Sequence, residues 1–309
     1  MSNFFTYLRG TVAIAALSIA SITLYAGDHK PGAYQAPDSG SFKVAFLTDV
    51  HLDITDNLHQ TAGFTQAMKD VKSRGVDLII FGGDNAFFDG KGPQDYAAVD
   101  STLTVFRSIA ESAGVPVHYT IGNHDRYYYN SDGTRDDAGM KMYEKHLGET
   151  TYSFDHKGVH FLVINSVKPH PWHSYYIDDK QLEWIKGDLD ALPEGTPVIV
   201  STHVPLQSLY YPAMTGTVVP TDMIDNFKVL WDLLAQYHTI AVLQGHQHLY
   251  EEMLSKGLWF VTGGAVCASW WSGDLAGTQE GYLLLTLDPK ADQYHWEYID
   301  YGWDPTKSH

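Results

Sequence analysis

Short apolar runs along the chain alternate with stretches in which apolar residues recur every three or four positions. The runs predict strands and the periodic stretches predict helices. The predicted strands span residues 42–49, 76–84, 115–125, 196–203, 239–245, 258–264, 281–288 and 294–300. The predicted helices span residues 63–74, 95–113 and 179–192, and a further helical spacing joins Met223, Phe227, Leu230, Trp231 and Leu234.

Residues 151–165 predict a β-hairpin with its turn at 156–158. The chain shows no internal repeat and no second domain boundary. We therefore predict one α/β domain over residues 42–309, with more antiparallel strand near its end than a doubly wound sheet has.

The N-terminus has a separate pattern. Arg9 precedes an uncharged stretch over residues 10–27, with small residues near its end. This is typical of a secretory signal peptide over residues 1–26, cleaved after Ala26 or earlier, with a Gly-, Pro- and Ser-rich linker over 27–41. The sequence thus predicts an exported protein, periplasmic or extracellular, without stable membrane embedding after cleavage. An uncleaved anchor is the alternative, because 18 uncharged residues barely span a bilayer.

The composition excludes several classes of function. Of the 309 residues, 20 are Lys or Arg and 37 are Asp or Glu, so the formal net charge is −17. Such a chain repels phosphate backbones, and we expect no nucleic-acid partner and no attraction to anionic membranes. The single cysteine, Cys267, excludes an internal disulfide and a cysteine-based metal site, whereas 16 histidines suggest metal chemistry.

Polar residues of a particular kind follow five predicted strands. In chain order they are Asp49 and His51, then Asp84, then Asn123, His124 and Asp125, then His203, and finally His246 and His248. Because ligands of open α/β sheets bind at the carboxyl ends of strands, we expect these side chains to converge. Any one block occurs by chance, but five in order favour a site.

Carboxylate, amide and imidazole groups together favour manganese, iron or zinc. Two such ions about 4 Å apart can hold a nucleophilic hydroxide and clamp phosphate oxygens. The glycines before Asp84, Asn123 and His246 are expected to let the backbone turn sharply.

The ordered blocks D-x-H, GD, GNHD, His and GHxH resemble the calcineurin-like metallophosphoesterase superfamily over essentially the whole chain after the N-terminal segment. The resemblance implies a four-layer αββα sandwich and a phosphoesterase with two metal ions. It implies that Asp49, His51 and His248 hold one ion, that Asn123, His203 and His246 hold the other, and that Asp84 bridges them. It also implies that His124 is the catalytic histidine, which Asp125 would orient.

Two features refine the resemblance. Purple acid phosphatases have a metal-binding Tyr where this chain has Phe87, so exported bacterial phosphoesterases and class III cyclic-nucleotide phosphodiesterases are more similar. A non-catalytic metal-binding scaffold of the same fold is the alternative from another class, although every ligand position is filled here.

The expected substrate is a small phosphorylated molecule, either a phosphomonoester or a phosphodiester, because a two-metal centre serves both. A cyclic nucleotide is a specific alternative. Three aromatic groups could line the cleft or pack in the core: Tyr127–Tyr129, Tyr210–Tyr211 and Trp270–Trp271. The sequence leaves the oligomeric state open.

Overall fold

The computed structural model describes residues 40–53, 55–218 and 222–306. The predicted signal peptide at 1–26 and most of the predicted linker at 27–41 lie outside the described residues. In the described part no helix is both long and apolar enough to span a bilayer.

The strands of this part are β1 (Phe42–Leu47), β2 (Leu78–Phe81), β3 (Val117–Tyr119), β4 (Tyr152–His156), β5 (Val159–Ile164), β6 (Val198–Thr202), β7 (Thr239–Gln244), β8 (Tyr250–Ser255), β9 (Leu258–Gly263), β10 (Gly281–Asp288) and β11 (Gln293–Asp300). The helices are α1 (Gln60–Ser73), α2 (Tyr96–Ala110), α3 (Lys141–Leu147), α4 (Asp179–Asp190), α5 (Tyr210–Thr215) and α6 (Phe227–Leu234).

The strands form two mixed sheets. The first has the order β11-β10-β1-β2-β3, in which β1, β2 and β3 are parallel and β10 and β11 are antiparallel. The second has the order β4-β5-β6-β7-β9-β8, with a parallel centre and antiparallel edges. The antiparallel additions confirm that this is not a doubly wound sheet.

Alternate residues of β1 show how the layers pack. Val44 and Phe46 belong to an apolar cluster that joins the inner faces of the two sheets. Ala45 and Leu47 point the other way and join the cluster formed with the helices. Because successive strand side chains face opposite sides, each sheet has one face on the other sheet and one on helices. This confirms the predicted four-layer αββα sandwich.

The predicted hairpin is confirmed as β4 and β5, with Lys157 and Gly158 in the turn at positive φ. Other boundaries differ. The first three predicted strands are too long, because polar residues after each apolar run leave the sheet. The helix predicted from Met223 begins only at Phe227. Sequence reasoning missed α3, α5 and the edge strand β8.

Candidate metal centre

The ends of β1, β2, β3, β6 and β7 bring all seven predicted metal ligands to one place between the sheets. Six of them lie within a few ångströms of Asp49 or Asp84 or of each other; the seventh, His246, joins through its backbone and through its grouping with Asp84 and His203. Asp49, Asp84 and His203 are almost completely buried. Buried carboxylates and imidazoles at this density are typical of metal sites.

Asp84 lies at the middle of the cluster. Its Oδ2 atom is 3.6 Å from Nε2 of His51 and 3.0 Å from Nε2 of His203. One carboxylate oxygen therefore faces both predicted groups of ligands, which is the position that a bridging carboxylate requires.

The first group consists of Asp49, His51 and His248. Nε2 of His51 and Nε2 of His248 face each other at 3.0 Å, and Oδ1 of Asp49 lies 3.3 Å from Nε2 of His248. Nδ1 of His51 is buried, and within the described residues it neither accepts nor donates a hydrogen bond. Two imidazole nitrogens and a carboxylate aimed at one point fit a divalent cation.

The second group includes Asn123, whose Oδ1 atom is 3.2 Å from Nε2 of His203. On His246, Nε2 lies 3.0 Å from Oδ1 of Asp222, so Nδ1 is the ring nitrogen outside that hydrogen bond. The other oxygen of Asp222 accepts a hydrogen bond from the Tyr211 hydroxyl at 2.7 Å. Sequence reasoning missed Asp222, because it lies outside every motif.

Main-chain carbonyls orient two of the histidines. Nδ1 of His203 donates to the carbonyl of Gly82 at 3.0 Å, and Nδ1 of His248 donates to the carbonyl of Ala268 at 2.6 Å. A carbonyl only accepts, so the proton is on Nδ1 and the Nε2 lone pair faces the cluster. Histidine ligands of metals are usually held in this way.

The electrostatics differ from one histidine to another. Burial lowers the pKa of His51 to about 4. Burial also lowers the pKa of His203, but the charge and hydrogen bond of Asp84, together with the charge of Asp49, outweigh burial and raise that pKa to about 9. Burial alone would raise the pKa of Asp84, yet the surrounding histidines hold it well below its usual value. The carboxylate is thus ionised and available for cations.

The backbone at the ligands is left-handed. Asp49, His51, Asp84, His246 and His248 all have positive φ, between 46° and 72°. Non-glycine residues rarely adopt this conformation.

The expectation about the neighbouring glycines is only partly correct. Gly83 has a φ of 102°, but neither Gly122 nor Gly245 has a positive φ. A Cβ on Gly122 would lie 2.1 Å from the backbone nitrogen of Asp84, and one on Gly245 would lie 2.1 Å from Oγ1 of Thr48. These two positions need glycine for close approach, while the ligands themselves make the turns.

His124 lies at the edge of the cluster. Its Nε2 atom is 4.0 Å from Oδ2 of Asp84, and its Nδ1 atom is 2.9 Å from Oδ2 of Asp89. Burial lowers the pKa of His124, but Asp89 and Asp84 outweigh burial and raise it above its ordinary value.

Asp89, rather than Asp125, is the carboxylate that lies beside the His124 ring, so the orienting role expected of Asp125 stays a prediction. Asp125 is buried and accepts hydrogen bonds from the backbone nitrogens of Gly122 and Ala86 and from the amide of Asn85. It holds two ligand-bearing loops together.

An open cleft of about 380 Å³ lies over the cluster. Tyr210, Tyr211 and Trp270 line it, together with Asp84, His124 and His246. In contrast, Tyr127 and Trp271 are buried in the core. Of the three predicted aromatic groups, Tyr210–Tyr211 face the cleft, Trp270–Trp271 are divided between cleft and core, and no member of Tyr127–Tyr129 lines the cleft.

The chain is similar in sequence and fold to several known proteins. The sequence model of a family described as calcineurin-like phosphoesterase matches residues 42–250. A probable cyclic nucleotide phosphodiesterase of Rhodococcus erythropolis is 27% identical over 211 residues, which are 65% of this chain and 63% of that protein. Purple acid phosphatase 21 of Arabidopsis thaliana is 25% identical over 214 residues, which are 65% of this chain and 44% of that protein. The chain thus spans less than two thirds of either relative.

The fold is also similar to that of a dimetal phosphatase from Danio rerio. The two structures superpose with a TM-score of 0.57 at 12% identity, over 84% of this chain and 99% of the other. At this identity the similarity concerns the fold.

Proposed function

The chain belongs to the calcineurin-like phosphoesterase family, and from this premise we propose that it is an exported phosphoesterase with two metal ions that hydrolyses phosphomonoesters or phosphodiesters of small molecules. Hydrolysis of phosphate esters follows from the family. The metal pair, the substrate and the export are the parts that need experiment.

The residues fit a pair of divalent ions. Asp84 presents one oxygen to both histidine groups, and carbonyls hold His203 and His248 with Nε2 inward. Asp49, His51 and His248 would hold one ion, and Asn123, His203 and His246 the other. The donors are oxygen and nitrogen atoms, which suits manganese, iron or zinc. The Cys267 thiol lies 3.8 Å from Nδ1 of His248 and within 4.8 Å of a ring nitrogen of His51. Two ions bound there would activate water and neutralise phosphate charge.

The protein's own residues have distinct tasks. Asp84 stays ionised and, lying between the two groups of ligands, holds them at a fixed distance from each other. His124 lies within reach of an ester oxygen in the cleft, and its raised pKa favours the protonated form that donates a proton to a leaving group. Asp89 lies beside that ring, with Oδ2 at 2.9 Å from its Nδ1 atom.

A cyclic-nucleotide phosphodiesterase is the more specific candidate. It is supported by the similarity to the Rhodococcus protein and by Phe87, which stands where purple acid phosphatases bind metal through Tyr. Phe87 faces His51 at a ring distance of 6.2 Å and offers no ligand atom. We therefore expect a colourless protein without an iron–tyrosinate band.

Export is proposed from the uncharged stretch at 10–27 alone. N-terminal sequencing of the protein from the envelope fraction or medium would test it. A mature N-terminus at or before residue 27 is expected, and an intact Met1 in the cytoplasm would contradict it.

The single observation that carries the proposed function is the position of Asp84 between the two histidine groups. The test is Asp84→Asn, with the 97% exposed Asp137→Asn as matched control. Elemental analysis should find two ions per wild-type chain. Turnover of aryl phosphates, nucleotides and cyclic nucleotides should fall more than about 100-fold in Asp84→Asn and stay unchanged in the control. An active wild-type protein with one ion or none would contradict the proposal.

A further inference from the structure

Trp270 is a large apolar side chain held at the mouth of the cleft, with 43% of its surface exposed. Its ring centroid lies 4.0 Å from that of His51, 5.4 Å from that of His124 and 5.6 Å from that of Phe87. One side of the indole thus rests on the site, and the remainder faces the space where a substrate enters.

The backbone places Trp270 there at a cost. Trp270 and Trp271 have φ values of 53° and 65°, a conformation that bulky residues rarely adopt. Such strain persists only where the surroundings impose it, and it is frequent at functional sites.

Buried contacts of the same loop impose this conformation. The indole nitrogen of Trp271 donates to the carbonyl of Val50, one residue before His51, at 2.9 Å. The backbone nitrogen of Trp271 donates to the carbonyl of Cys267 at 2.7 Å, and Ala268 binds the His248 ring. The loop is therefore anchored through Trp271, and Trp270 projects into the cleft as a rigid surface.

The charges of the cleft decide what this surface can bind. The described residues that line it include Asp84 and Asp222 but no Lys or Arg. The organic part of a substrate would therefore find no Lys or Arg side chain among these residues to pair with. Trp270, with Tyr210 and Leu275, offers apolar and aromatic surface instead.

We propose that Trp270 is a specificity-determining residue whose exposed face stacks on a planar aromatic group esterified to the reacting phosphate. The aromatic group is an aryl ring or a nucleobase. Contact of Trp270 with His124 places the stacked group beside the leaving oxygen. The proposal rests on the proposed phosphoesterase function and deepens it.

The test compares esters that differ only in the flat ring. Benzyl phosphate and cyclohexylmethyl phosphate both release a primary alkoxide, and both are offered as monoesters and as methyl diesters. A nucleoside 5′-phosphate and ribose 5-phosphate form the second pair, which separates a nucleobase from a simple aryl ring. The variants are Trp270→Phe and Trp270→Leu, with Trp172→Leu as control, because Trp172 is 85% exposed and lies outside the cleft.

In Trp270→Leu, kcat/KM for the aromatic member of a pair should fall about 5- to 100-fold, the usual contribution of base–aromatic stacking. The saturated member should change little, since leucine still covers His51. Trp270→Phe should retain most of the preference, and Trp172→Leu all of it. Equal losses on both members, or loss of metal in Trp270→Leu, would assign Trp270 to shielding His51 and overturn the proposal.

Binding separates this proposal from the proposed function. Benzylphosphonate and cyclohexylmethylphosphonate are not hydrolysed, so calorimetry measures their affinity even for a protein that turns over no ester. Tighter binding of benzylphosphonate by the wild type, lost in Trp270→Leu, would support the stacking role. Equal affinity of the wild type for both would overturn it.

Discussion

At the scale of single residues, the site is built from side chains on strained backbone. Asp49 and Asp84 have φ values of 55° and 50°, and each follows a buried strand directly or within three residues. Positive φ at a non-glycine residue costs of order 1–3 kcal/mol. Backbone hydrogen bonds hold these turns: Asp49 donates to the carbonyl of Gly83, and His51 donates to that of Asp84.

Asp89 and Asp125 make a prediction at this scale, because both neighbour His124 but only Asp89 faces its ring. Asp89→Asn should lower kcat/KM on alkyl phosphates about tenfold, through weaker proton donation by His124. Nitrophenyl phosphates, whose leaving group needs little protonation, should be affected less. Asp125→Asn should leave this ratio unchanged and cost about 1–3 kcal/mol of stability, since an amide replaces a buried acceptor of three hydrogen bonds. If the ratio of kcat/KM on alkyl phosphates to that on nitrophenyl phosphates changed in Asp125→Asn but not in Asp89→Asn, then Asp125 rather than Asp89 would assist His124.

At the scale of elements, contacts between the edge strands β3 and β4 connect the two sheets at one side. The His118 ring on β3 stacks on Phe154 of β4 at 3.4 Å. The Tyr152 hydroxyl on β4 accepts a hydrogen bond from the backbone nitrogen of Tyr119 and donates one to its carbonyl, at 2.9 and 3.1 Å. These contacts satisfy the backbone N–H and C=O of Tyr119 at the edge of the first sheet.

The position of His118 between β3 and β4 predicts that stability depends on pH. Burial, and then the charge of His156, lower the pKa of His118 from 6.5 to about 4. Between these values the unfolded chain binds a proton that the folded chain does not, so stability decreases as pH falls from 6.5 to 4 and no further below. Because His118 is partly exposed, the expected loss is about 1–2 kcal/mol.

Urea unfolding at pH 7, 5.5 and 4.5, with chelator present throughout, measures this loss. In His118→Phe the stacking is kept and the titration is removed, so the acid slope should be flatter than in the wild type. Parallel slopes for the two proteins would show that His118 does not titrate in this way.

At the scale of the whole molecule, the candidate metal centre lies between the two sheets. Its ligands follow β1, β2 and β3 of the first sheet and β6 and β7 of the second. A bound ion would therefore link the two sheets in addition to their apolar packing and to hydrogen bonds such as those between Tyr152 and Tyr119. Without cations, Asp49 and Asp84 lie at the centre of the sandwich with only the histidines to balance their charge.

Removing the metal should therefore lower the stability of the entire domain. An ion present at about 1,000 times its Kd contributes about 4 kcal/mol, and a domain of this size then loses roughly 8–16 °C in Tm. Calorimetry with and without chelator measures the shift, and added Mn²⁺ or Zn²⁺ should reverse it. Asp84→Asn should show a much smaller shift. A Tm independent of chelator in the wild type would mean that the centre does not stabilise the fold.

The sequence alone determined the strands that carry the site and the residues that end them. Apolar runs form strands wherever they are buried, and the carboxyl ends of parallel strands meet at one edge, so Asp49 and Asp84, which follow the parallel neighbours β1 and β2, could be placed together from local pattern. The sequence could not predict β8, because Tyr250–Ser255 is a half-exposed edge strand. It contains two consecutive glutamates, and its apolar and polar residues do not alternate regularly. Nor could it predict α3 and α5, which are only seven and six residues long.

Only the tertiary structure decided which side chains contact each other. Asp89 and Asp222 lie 35 and 24 residues from the histidines they contact, so no local spacing relates them. Asp125 is adjacent to His124 in the chain, yet the turn between them directs its carboxylate toward Asn85. The same holds for Trp270 and Trp271, which are consecutive residues of the same type. Trp271 is buried, whereas Trp270 faces the cleft. Local patterns determine elements because burial acts on each strand and helix separately, whereas the direction of a loop side chain depends on contacts between distant segments.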